Sequence, residues 1–194
     1  ITGPWMLRRE EDLAAGAPKP GDPPDIESGV SARKRILVLG GGFGGLHTAR
    51  QLERIFRHDP GVEISLVSPD NFFLYTPMLH EIASCDVDIT HIVSPIRTLL
   101  KRTSVFVGDV EAIDVDARRV RVSHGFEAHT HDLEYDHLVV ALGSITNFYG
   151  LPGLESHALT MKTLGDAIYL RNRLIASLEE ADTECAGGGG GLLQ

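Results

Sequence analysis

The sequence predicts an α/β fold in which a parallel sheet carries a small antiparallel β-meander, and three observations predict it. The run Ile36-Leu37-Val38-Leu39 stops abruptly at Gly40-Gly41-Gly42-Phe43-Gly44-Gly45, as a buried parallel strand does where it turns into a helix. Apolar residues then recur at Leu46, Ala49, Leu52, Ile55 and Phe56, the spacing of one helix face. A second apolar run, Val62, Ile64, Leu66 and Val67, follows the turn Asp59-Pro60-Gly61 and closes a strand-helix-strand unit. Such a crossover is right-handed and its strands are parallel.

Later elements follow in order. Ser94-Pro95 reads as an N-cap followed by a proline at the first helical position, with Ile96, Leu99 and Leu100 on one face of a short helix. Val105-Phe106-Val107 is a strand, and Val110, Ile113, Val115, Val120 and Val122, broken at Asp114, Asp116 and Gly125, form the meander, with Leu133 and Tyr135 in its last strand. Leu138-Val139-Val140-Ala141 is another buried strand, ending at Gly143. Thr163 to Glu180 is a helix, opened by the capping box of Thr163 and Asp166.

Bulk properties set limits. The 194 residues, 42% hydrophobic and 23% charged, suffice for one ordered domain, placed at 33–182. Residues 1–32, with Pro18, Pro20, Pro23 and Pro24, have no sustained period and are expected to be a disordered leader. Arg8 and Arg9 beside Trp5-Met6-Leu7 suggest targeting, but Glu10-Glu11-Asp12 spoils the basic pattern. A net charge of -9 argues against nucleic acid as a partner. Cys85 and Cys185 make no CxxC pair, so neither a disulfide framework nor a cysteine zinc site is indicated, and a reducing cytoplasm is the expected compartment. No run approaches the roughly 18 apolar residues of a spanning helix, so membrane association is expected to be peripheral and to rest on further carboxyl-terminal sequence.

The glycine cluster carries the chemistry. Gly40, Gly42 and Gly45 satisfy G-x-G-x-x-G between a strand and an amphipathic helix, the context that turns a weak pattern into a dinucleotide-binding signal. Gly40 permits the tight turn, Gly42 the approach of a diphosphate, and Gly45 close packing of helix on sheet. Helical N–H groups and the helix dipole would then face the phosphates. The acidic ribose reader usual at the end of the second strand is replaced by Ser68, and Asp70 is the alternative partner. The meander after Val110 and the strand end Val139-Val140-Ala141-Leu142-Gly143-Ser144 favour FAD over NAD.

Together, Leu39 to Gly45, the loop Asn71-Phe72-Phe73-Leu74-Tyr75-Thr76-Pro77-Met78-Leu79, and Ala141-Leu142-Gly143-Ser144-x-Thr146-Asn147-Phe148 resemble the type II NADH:quinone dehydrogenases and their ferroptosis-suppressing relatives. The resemblance runs from about Lys34 to Glu180. It implies an incomplete two-dinucleotide-binding fold in which Gly40, Gly42, Phe43, Gly44 and Gly45 hold the FAD diphosphate. It also implies that Ser68 and Pro69 meet the adenosine ribose, that Asn71 joins the cofactor contacts, and that Thr76 and Pro77 lie beside the isoalloxazine. Val110 would meet adenine through its backbone, while Ala141, Leu142 and Gly143 flank the cofactor. No catalytic side chain is assigned. The family reaction passes hydride from NADH to FAD and electrons to a quinone. The resemblance also implies peripheral attachment at the cytoplasmic face of a membrane, or a mitochondrial location in a eukaryote, and allows a homodimer.

Full members continue into a second glycine-rich loop for NADH, which Gly187 to Gly191 do not supply, because no strand precedes them. Residues 183–194 are expected to be a flexible tail, the NADH domain to be absent, and the isolated chain to be inactive. A nucleotide-binding module without redox turnover is the alternative. No metal site is assigned: His129 and His131 share one strand face but lack a fixed third ligand, and these histidines, with His124 and His137, read as solvated. Asp109, Glu111, Asp114 and Asp116 lack the EF-hand pattern and read as turn residues. Cys85 reads as an ordinary packed thiol, and Ser144 has no G-x-S-x-G elbow.

Overall fold

The computed structural model describes residues 33–125 and 129–186, with side chains described as far as 183. The expected leader and the Gly187 to Gly191 segment lie outside the described residues. Strand β1 (Lys34–Leu39), helix α1 (Phe43–Ile55) and strand β2 (Val62–Ser68) form the expected crossover, with β1 and β2 parallel from Lys34↔Val62 to Leu39↔Val67.

Next come the short strands β3 (Phe72–Leu74) and β4 (Val93–Pro95), with helix α2 (Leu79–Ala83) between them, then α3 (Ile96–Leu99) and β5 (Ser104–Val107). The meander is β6 (Asp109–Asp114), β7 (Arg119–His124) and β8 (His129–Glu134), and β9 (His137–Val140) returns to the main sheet. Helices α4 (Leu154–His157) and α5 (Leu164–Ala186) complete the described chain. The main sheet has the order β5-β2-β1-β9, and every pair in it is parallel.

Alternate residues of this sheet face two cores, as strand geometry requires. Val38, Leu66 and Val105 pack with Leu46 and Ala49 of α1 and with Ile96 and Leu100. Leu37, Leu39, Val67 and Phe106 pack with Val120, Val122 and Tyr135 on the meander side. Val38, Leu39 and Leu66 are completely buried, each contributing about 1.5–3 kcal/mol of burial. This two-sided burial is why β1 reads as a continuous apolar run. A third cluster joins Leu79 and Ile82 of α2 to Ile92 and Ala167 of α5.

Glu53 fastens α1 to the start of β5. One carboxylate oxygen accepts from the backbone N–H groups of Lys101, Arg102 and Thr103 at 2.9, 2.7 and 2.8 Å and from Thr103 Oγ1 at 2.9 Å. Partial burial pushes this acid up, but the donors outweigh it and hold it below its ordinary range.

Two expectations need correction. Ser94-Pro95 does not open a helix: Phe73 pairs with Ser94 and Phe72 with Pro95, so both belong to β4, and α3 begins at Ile96 without a side-chain cap. Cross-strand pairing overrides the local capping signal, and proline is tolerated at this strand end. The last helix runs past Glu180 to Ala186, with Thr183 Oγ1 donating to Glu179 O at 2.8 Å within it. Its start is as expected, for Thr163 N donates to Asp166 Oδ2 at 2.9 Å and Asp166 N to Thr163 Oγ1 at 3.1 Å. The N–H groups of Thr163 and Lys162, both donating to the Asp166 carboxylate, hold this acid below its ordinary range.

Candidate functional site: the carboxyl ends of the parallel strands

The glycine loop sits at the carboxyl end of β1, where the sheet order places β2 on one side and β9 on the other. Open α/β sheets bind ligands where the chain reverses its direction of winding in this way. Gly40 N donates to Val67 O and Ala141 N to Leu39 O, both at 2.8 Å, so the three strand ends are tied together. Gly40 has φ +106°, and a Cβ there would overlap the Ala141 carbonyl oxygen, so only glycine fits. A Cβ on Gly45 would overlap the carbonyl oxygen of Gly40.

Gly42 differs from both. A Cβ there would meet nothing within 4 Å, and Gly42, Phe43 and Gly44 are exposed. Gly42 is the N-cap of α1, makes no side-chain cap bond, and no acidic residue occupies the first turn. Leu46 N donates to Gly42 O at 2.9 Å, which leaves the amides of the first turn directed outward, as at any helix start. An open cradle, outward amides and no competing carboxylate fit the diphosphate of a dinucleotide.

The structure brings the other expected residues to the same end of the sheet. Ser68, only 3% exposed, closes β2, and its Oγ lies where a Cβ on Gly41 would fall. Pro69, Asp70 and Asn71 follow on the surface, and Asn71 O accepts from Ile96 N at 3.0 Å. The aromatic loop folds against the start of α1, where the Phe43 ring meets Phe73 edge-on at 4.9 Å and Tyr75 at 5.6 Å. Thr76 and Pro77 lie exposed in the helical turn just beyond Tyr75. Half-buried Val110 packs on the meander core, and its strand begins right after Gly108, whose N–H donates to Ser68 O at 2.9 Å. Half-buried Ala141 and exposed Leu142 and Gly143 continue from β9, with Gly143 at φ +78°.

Some of this was not read from the sequence. Gly41 was not singled out, although its position against Ser68 and Ile96 requires the smallest residue. Lys162 Nζ donates to Ser144 Oγ at 2.8 Å, closing the loop after β9 by a contact that no local pattern announces. Cys85 is corrected: it is exposed, not packed, and has φ +67° where the chain leaves α2. A shallow depression of about 850 Å³, lined by Arg33, Lys34, Arg35, Glu63, Arg118, Asp136 and His137, lies at the opposite end of the strands, where Arg35 is already paired with Glu134 and Asp136.

Fold and loop geometry thus define an α/β unit whose parallel sheet is covered by α1 on one face and by the meander on the other, with an open glycine loop at the strand ends. The profile of the pyridine nucleotide-disulphide oxidoreductases matches residues 34–191, and the chain belongs to that family. It is 40% identical over 159 residues to the demethylphylloquinone reductase NdbB of Synechocystis sp., covering 80% of this chain and 39% of that one. To the type II NADH:quinone oxidoreductase NdhA of Mycobacterium tuberculosis it is 33% identical over 158 residues, covering 80% and 32%. The chain therefore spans well under half the length of these relatives. The fold is similar to that of NDH2 from Plasmodium falciparum in complex with NADH, with TM-score 0.68 and 24% identity over 77% of this chain and 30% of that one. It is also similar to the sulfide:quinone oxidoreductase of Aquifex aeolicus, with TM-score 0.63 and 27% identity over 75% and 32%. Among the described residues no helix is long and apolar enough to cross a membrane.

Proposed function

We propose that this chain is the FAD-binding portion of an oxidoreductase that takes hydride from NADH and passes electrons to a quinone. One observation carries the reading: the uncapped start of α1, open at Gly42, lies at the strand ends beside Ser68 and Ala141. In this reading the amides of Phe43, Gly44 and Gly45 bind the FAD diphosphate, and Ser68 and Pro69 hold the adenosine ribose. Asn71 joins the cofactor contacts, and the Val110 backbone meets adenine. Thr76, Pro77, Ala141, Leu142 and Gly143 position the flavin end. The flavin supplies the redox chemistry, and this chain's groups bind and orient it.

NADH, quinone and a mitochondrial location come to this reading from what the relatives are named for. Peripheral attachment at the cytoplasmic face of a membrane and homodimer formation rest on the sequence resemblance alone. The second reading is a nucleotide-binding module without turnover, which rests on the open glycine cradle alone. Titrating the chain with FAD and with NAD tests the cofactor. Tighter binding of FAD is expected, whereas preference for NAD contradicts the proposal. NADH-dependent quinone reduction by a longer product of the same reading frame separates enzyme from module.

A further inference from the structure

The meander holds a cluster of chemistry-bearing side chains that nucleotide binding does not use. In the pairing of β7 with β8, His124 lies opposite His129 and Val122 opposite His131. Alternation puts His124, His129 and His131 on one sheet face, the face that carries Val120, Val122 and Leu133. His124 and His131 are diagonal neighbours there. Their Nε2 atoms lie 2.7 Å apart, and their rings are parallel within 2°. The Phe106 ring packs edge-on to both, with centroids 5.4 and 6.0 Å away. The two imidazoles therefore rest on an aromatic core residue and bring the same ring nitrogen of each within hydrogen-bond distance of the other.

We propose that His124 and His131 form a two-histidine site for a divalent metal ion of the zinc, nickel and copper class. Imidazole nitrogens select these ions over calcium and magnesium. At 2.7 Å one Nε2 donates its proton and the other accepts it. Metal binding uses both Nε2 lone pairs, the donor's proton passing through water to its own Nδ1, so that both rings stay neutral ligands. A tetrahedral ion with bonds of about 2.0–2.1 Å holds two nitrogens about 3.3 Å apart. The pair must open by roughly 0.6 Å, which a small side-chain rotation supplies at exposed positions.

Among the described residues no group of three or more His, Cys, Asp and Glu side chains converges to hold a metal. Among the described residues the two imidazoles are the protein ligands, and water completes the shell, unlike a closed structural zinc site. An ion held there joins β7 to β8 and stabilises the folded state by mass action.

Isothermal titration with zinc chloride tests this on the chain without a polyhistidine tag. One zinc ion per chain is expected, with affinity falling about tenfold or more in His124→Ala and in His131→Ala and holding in His157→Ala, a histidine of α4 outside the cluster. His131→Gln, which keeps a polar group over Phe106 but cannot ligate, must lose binding while its circular dichroism matches the parent chain. Absence of saturable binding, or equal affinity in all these variants, overturns the proposal.

Discussion

Gly45 lies so close to Gly40 that a Cβ on the first would overlap the carbonyl oxygen of the second, so the first turn of α1 is pressed onto the strand that launches it. Gly45→Ala is therefore expected to destabilise the chain by about 1–3 kcal/mol, the usual cost of forcing volume into a packed site. Urea unfolding checks this, and an unchanged midpoint would refute the contact.

Gly42 should behave in the opposite way. Its Cβ direction is open and its φ is -77°, so Gly42→Ala should unfold within about 0.5 kcal/mol of the parent, as substitutions away from packed contacts do. Paired with Gly45→Ala, this variant separates glycine kept for packing from glycine kept for ligand approach.

Glu53 makes stability depend on acid. Partial burial raises its pKa, but donation from Arg102, Thr103 and Lys101 lowers it further, so the folded value lies below the ordinary one. A depressed folded value gives stability that is fully present above the unfolded pKa, near 4.3, and is lost as pH falls through the folded value. Glu53→Gln should flatten this acid-side loss while leaving other carboxylates, such as Asp166, to titrate as before. Denaturant midpoints measured from neutral pH downward check it, and an identical slope in parent and variant would contradict it.

The capping box gives a local test. Thr163→Ala removes the hydroxyl that accepts from Asp166 N and is expected to cost about 1 kcal/mol, with Thr163→Ser restoring most of it. Thermal unfolding reads both, and equal midpoints for Ala and Ser would count against the cap.

The crossover unit, the meander and the glycine loop were legible because each rests on a local pattern: an apolar run, a helical period, a turn signal. Strands β3 and β4 were not, since each is only three residues long and Ser94-Pro95 carries a genuine helix-start signal that pairing with Phe73 overrules. The His124–His131 contact was out of reach for a related reason. The sequence puts His129 and His131 on one face, but the register that brings His124 beside them is set by the hairpin. At the site, the order Gly40, Gly42, Gly45 announced the cradle, whereas the closeness of Gly41 to Ser68 arises only when two strands lie side by side.

The chain by itself should bind FAD weakly and show negligible NADH:quinone turnover. Leu142, Ile145 and Tyr149, 53, 91 and 82% exposed, line the segment after β9 that would flank the flavin, so little apolar cover excludes water there. Stoichiometric yellow flavin after purification, together with brisk turnover, would refute this.

The most direct test of the diphosphate cradle is flavin titration of the parent chain and Gly42→Val, with FMN and ADP as comparison ligands. The parent should bind FAD, release it to ADP, and bind FMN, which lacks the diphosphate, at least about tenfold less tightly, while Gly42→Val stays folded and loses FAD affinity by a similar factor, a difference of about 1.4 kcal/mol. FMN binding as tightly as FAD, or Gly42→Val binding FAD like the parent, would contradict the account.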